Sequence, residues 1–245
     1  MLNYHIENTL GDEGENMSRD IFCSIINPKK SDYRKETCID KLYELPDHFE
    51  PKEKMQYSTQ VITDLLVSDA IKNYKTEVLC CKILYTNALV YNEAYNNESI
   101  EHDDYTDNEY LCKMYLELTL TKLFSIYDKT YHIINAALKL DIDADNSSEL
   151  FKQNIRDKIK VLDKKLYKKI KSIFSRITND SFRKTRDDIT HNESDSFVRI
   201  KRDFNVSDYM VRFMPDKSIK EIIHGIENLT DIIYEQIKII EEIIK

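Results

Sequence analysis

From Ser218 to Lys245 the chain reads SIKEIIHGIENLTDIIYEQIKIIEEIIK. Ser218 with Glu221 three residues later is a capping-box pair, and it opens a run whose apolar positions Ile219, Ile223, Ile226, Thr230, Ile233, Ile237, Ile240 and Ile244 keep a four-three spacing. Isoleucines at 222, 232, 239 and 243 flank that seam. They widen the apolar face beyond what a two-stranded coiled coil covers, so the segment reads as a long helix buried in a bundle.

The rest of the chain agrees with a bundle. Glycine occurs only at 11, 14 and 225 and proline only at 28, 46, 51 and 215, so nothing between Lys52 and Met214 breaks a helix. Sandwiches and doubly wound sheets need frequent turn residues, and phosphate cradles need glycine loops, so both are excluded. Ile71, Tyr74, Val78, Cys81, Tyr85 and Leu89 form one helical stripe within a first long helix from about Lys52 to Tyr91, broken at most once. Seven acids and no lysine or arginine between Asn92 and Glu109 mark a solvated linker. Thr106 and Glu109 then cap a second helix through Leu111, Met114, Leu118, Phe124, Tyr127, Tyr131, Ile134 and Leu138 to about Leu140. Asp145–Ser148 open a third long helix, striped by Ile155, Ile159, Leu162, Leu166, Ile170, Ile173 and Ile177. The expected fold is all-α, an antiparallel bundle of four to five principal helices (52–245) with an N-terminal arm of short helices (1–51).

The formal net charge of −8 argues against a general nucleic-acid coat, because bulk phosphate affinity requires basic excess. Local patches are a separate matter. Phe151–Arg176 carries ten basic residues against Asp157 and Asp163, and its polar face is either a solvated surface or a phosphate rail with Lys164, Lys165, Lys168 and Lys169 as RNA-binding candidates. Arg199 and Arg202 stand among aromatics in 197–215, where bases can stack or the rings can pack on the core. Five cysteines without a CxxC pair support neither a disulfide framework nor zinc, and the six histidines lack metal-ligand spacing, so no metal and no cofactor is expected. His132 and His224 read as structural histidines on apolar helices. No secretory leader or membrane span is legible, and a cytoplasmic protein without membrane contact is expected.

One segment stands apart, Ser181-Phe182-Arg183-Lys184-Thr185-Arg186-Asp187-Asp188-Ile189-Thr190-His191-Asn192, a short polar helix between apolar-striped ones. Asp187 and His191 are four apart, so the carboxylate shares a helical face with the imidazole and can fix its tautomer. Arg186 lies about 140° around the helix from His191, so the two converge only if the arginine folds back or the helix ends near the histidine.

Arg186 to His191 resembles the Arg-x4-6-His motif of the HEPN superfamily, with the usual polar residue after the arginine. The motif's place before a final long helix fits, and Leu123–Lys129 resembles the preceding helix of bacterial HEPN subfamilies. The resemblance covers roughly Lys52 to the end. It implies a homodimer that brings two motifs to one cleft and cleaves RNA without metal, as toxin–antitoxin and phage-defence ribonucleases do. Arg186 and His191 would be catalytic, with Asp187, Asn192, Arg183 and Asp128 supporting them. Asp128 is equally a charge partner for Arg183 or Arg186. The alternative is a non-catalytic HEPN dimer that binds RNA, nucleotides or a protein, such as an antitoxin or operon partner.

Overall fold

The structure, a computed structural model, describes residues 28–46, 59–97, 107–143, 148–179 and 218–244, with side chains from 65 and 108 onward in the first two long helices. Five α-helices lie among the described residues: α1 (Thr59–Asn97), α2 (Asp107–Ala137), α3 (Ser148–Leu162), α4 (Lys164–Thr178) and α5 (Ile219–Ile244). Two 3-10 turns, Asp32–Arg34 and Cys38–Glu44, precede them. No strand occurs among the described residues, so the expected all-α fold is what the chain adopts.

α1 and α2 form the most extensive pair, and α2 then packs on α5. They run antiparallel: Lys122 Nζ donates to Glu77 at 2.7 Å, and further along Cys81 Sγ donates to the Thr119 carbonyl at 3.8 Å. The α1 stripe Ile71, Tyr74, Val78, Cys81 and Tyr85 is buried against Leu116, Leu120, Leu123 and Tyr127 of α2 and Ile226, Ile233, Ile237 and Ile240 of α5, in one continuous core. Burial of these side chains is the dominant stabilising term, at about 25 cal/mol per Å² of apolar surface. α1 is unbroken across its length, without the interruption the sequence allowed.

The Cys38–Glu44 turn is riveted to this core. Its cap is reciprocal, with Thr37 and Asp40 satisfying each other's end of the first turn. Ile39, Leu42 and Leu45 are buried, and Tyr74 Oη donates to the Leu42 carbonyl at 2.8 Å. Lys82 of α1 pairs with Asp40, and Lys41 with Asp231 of α5. Tyr234 Oη donates to Glu44 at 2.6 Å, and Lys238 pairs with the same carboxylate.

α2 ends in a Schellman motif: Leu140 N–H donates to Asn135 O and Lys139 N–H to Ala136 O. That geometry puts Lys139 at φ 52°, and Asp141 follows at φ 50°. Asn135 pins the bend by bonding both the N–H and the carbonyl of Ile142.

The expected third long helix is two helices. Asp163 leaves helical geometry at ψ 103°, and its carboxylate accepts from the N–H groups of Lys165 and Leu166, capping α4. Asp163 is the junction: its N–H donates to Ile159 O at the end of α3, and its carbonyl accepts from Tyr167 N–H at the start of α4. Leu162, expected in the buried stripe, is instead 68% exposed at the kink, while Ile155, Ile159, Ile170, Ile173 and Ile177 are buried on either side of it; apolar periodicity alone does not mark such a break. α5 matches its sequence reading: Ser218 and Glu221 form the capping box, and twelve of its residues are buried. His224 is the exception. It is exposed, 3.8 Å from Glu227, and no part of the core.

Candidate functional site

Arg186, His191, Asp187, Asn192, Arg183, Arg199 and Arg202 lie outside the described residues. What the structure gives is the scaffold on either side of them, α4 before and α5 after, and the two groups of candidates on α2 and α4.

Asp128 projects from α2 toward the first turn of α3. Its Oδ1 accepts from Lys152 Nζ at 2.6 Å and its Oδ2 from Ser148 Oγ at 3.0 Å. Lys152 is only 4% exposed and also lies 3.1 Å from Glu149 and 5.7 Å from the Tyr127 ring centroid. A buried ammonium needs such neighbours, because desolvation without a counter-charge is costly. One turn on, the Arg156 guanidinium carbon lies 3.6 Å from the ring centroid of Phe174 on α4, and its Nη1 is buried without a hydrogen-bond partner among the described residues. Tyr127 and Tyr131 hydroxyls meet at 2.9 Å beside this pair, and burial drives both phenol pKa values well up. Both stay protonated and serve as hydrogen-bonding groups, not bases.

The basic stretch is therefore divided by the kink. On α3, Lys152 and Arg156 turn inward, which the charge pattern alone did not disclose; their four-residue spacing on the face of Phe151, Ile155 and Ile159 was the available signal. On α4, Lys164, Lys165 and Lys168 are exposed and form no ion pair among the described residues. Lys169 instead meets Glu242 of α5 at 2.7 Å. Arg176 meets Glu235 of α5 at 2.5 Å, so these two cations fasten α4 to α5.

A groove of about 480 Å³ between α1 and the C-terminal part of α2 was not anticipated. Asp69, Asn73, Lys129, His132, Lys139 and Asp141 line it, and the last two are the left-handed residues of the α2 bend. His132 stacks at 4.6 Å on Phe151, and burial, with Lys129 beside it, holds its pKa below the ordinary value. No cluster of three potential metal ligands occurs among the described residues. No helix among them is long and apolar enough to cross a membrane.

A family model described as Cthe2314-like HEPN matches residues 67–245. The chain belongs to the HEPN superfamily. The match takes in α1 from Val67, all of α2 to α5, and the Arg186–His191 segment between α4 and α5. Comparison with curated proteins and with solved structures yields no match. In this HEPN chain the 3-10 turns at Asp32–Glu44 precede the matched region and pack on α1 and α5.

Proposed function

We propose that this HEPN protein is a cytoplasmic, metal-independent endoribonuclease of the toxin or phage-defence kind, acting as a homodimer with Arg186 and His191 as its catalytic pair. The observation that carries the reading is the Arg186-Asp187-Asp188-Ile189-Thr190-His191 motif inside the stretch matched by the HEPN family model, between α4 and the capped final helix.

The chemistry follows from the residue types. An imidazole that titrates near neutrality takes the proton of the ribose 2′-hydroxyl as its oxygen attacks phosphorus, or returns a proton to the departing 5′-oxygen. The P–O5′ bond breaks, leaving a 2′,3′-cyclic phosphate and a 5′-hydroxyl. The Arg186 guanidinium offsets the charge that builds on the phosphoryl oxygens, and Asp187 orients the ring of His191. Arg183 and Asn192 support the pair. Arg199 and Arg202 are the proposed contacts to RNA. An antitoxin or operon partner would control such an activity.

The test is cleavage of a mixed RNA pool in excess chelator by the wild type, His191→Ala and Arg186→Ala, with product ends mapped. Loss of a general acid–base or of the phosphate-facing cation is expected to slow cleavage by about 10²-fold or more. Equal inertness of all three proteins would favour a non-catalytic HEPN binding module.

A further inference from the structure

The most exposed large apolar side chains among the described residues are Val161, 85% exposed, and Leu162, 68% exposed, and both sit at the kink between α3 and α4. Side chains so exposed cannot line a groove. They protrude. Cations flank them on both sides of the kink: Lys160 precedes them on α3, and the exposed Lys164, Lys165 and Lys168 follow on α4. Two acids are near in sequence: Asp163 is committed to the N–H groups of Lys165 and Leu166, and Asp157 is exposed one turn before Val161 on α3. Tyr167 stands between Lys160 and Lys171, whose ammonium groups lie 5.8 and 5.9 Å from its ring centroid.

We propose that this kink is a membrane-surface contact, in which Val161 and Leu162 wedge between anionic lipid headgroups and the lysine ring meets their phosphates. Three features favour lipid over the other anionic partners. RNA would engage the lysines through phosphate but would leave both aliphatic side chains in water. An acidic protein would need a shape complementary to a convex tip, whereas a fluid interface accepts a wedge without one. Lysine stems lie along apolar surface while their ammonium groups stay at headgroup level, and tyrosine suits the same depth. The contact is peripheral, through a few side chains, and so is compatible with the lack of a spanning helix among the described residues. It departs from the sequence expectation of no membrane contact.

The experiment is co-sedimentation of the full chain with vesicles of phosphatidylcholine alone or mixed with phosphatidylglycerol, at low salt. Wild type is expected to bind the mixed vesicles and not the neutral ones. Val161→Ser with Leu162→Ser, and Lys164→Glu with Lys165→Glu and Lys168→Glu, should each reduce binding about ten-fold or more. Lys220→Glu, an exposed charge on α5, should leave binding unchanged. The chain has no tryptophan, so Leu162→Trp supplies an independent reporter whose emission shifts to the blue on the mixed vesicles. Absence of vesicle binding, or binding that the serine variant retains in full, overturns the proposal. So does an RNA filter assay in which wild type binds RNA but not vesicles and only the lysine substitutions weaken it.

Discussion

Lys152 Nζ lies 2.6 Å from Asp128 Oδ1, so a cation from the second turn of α3 is buried on a carboxylate of α2. The pair joins elements that make few other contacts, and Ser148 completes the coordination of the carboxylate. Asp128→Asn leaves the ammonium with Glu149, which is half exposed. We expect a loss of about 2 kcal/mol, less than for a fully enclosed pair because Asp128 itself is 28% exposed. Lys152→Met in the Asp128→Asn background should recover part of it. Urea unfolding of the four-protein cycle measures the coupling, and an additive result would show that the pair contributes nothing.

Lys139 adopts φ 52°, a region that costs a residue with a Cβ. Glycine is the usual occupant of this place in a Schellman motif. Lys139→Gly should therefore raise stability by about 0.5–1 kcal/mol, after allowance for the greater freedom of glycine in the unfolded chain. Thermal unfolding checks the sign, which is opposite to that of glycine inside any of the five helices.

His132 has its pKa held below the ordinary 6.5, first by burial and then by Lys129. The unfolded chain thus takes up a proton that the folded chain refuses. At pH above about 6.5 both states are neutral at this site and it adds no pH dependence. As pH falls below that value, the unfolded state gains the proton first and stability declines. His132→Gln should flatten the acid limb of a midpoint-against-pH profile below about pH 6.5 and leave the neutral plateau's shape unchanged. Parallel limbs in the two proteins would remove His132 as a cause.

Cys81 and Cys112 are buried thiols, and burial drives the Cys81 pKa far up and that of Cys112 up to about 12. Alkylation requires both thiolate and access. With iodoacetamide under native conditions at mildly alkaline pH, peptide mapping should find Cys80 modified and Cys81 and Cys112 protected. All should react after unfolding. Native labelling of Cys81 at the rate of Cys80 would contradict its packing against the Thr119 carbonyl.

By itself the sequence determined the helical class, the existence of the long helices α1, α2 and α5, the cap at Ser218–Glu221 and the family resemblance at Arg186–His191. These are local properties: apolar period, capping chemistry and the absence of glycine and proline act within a few turns of one chain segment. Only the tertiary structure decided which face of the basic stretch is buried. Lys152 and Arg156 carry the same charge as Lys164 and Lys165, yet the first two turn inward because Asp128, Tyr127 and Phe174 arrive there from other helices. The same holds for the kink at Asp163, since one aspartate among lysines reads as a surface charge until its carboxylate is seen capping α4. The groove around His132 likewise joins residues of α1 with the bend after α2, some sixty residues apart, and no local pattern encodes that meeting. Long-range packing selects among side-chain directions that local sequence leaves equally available.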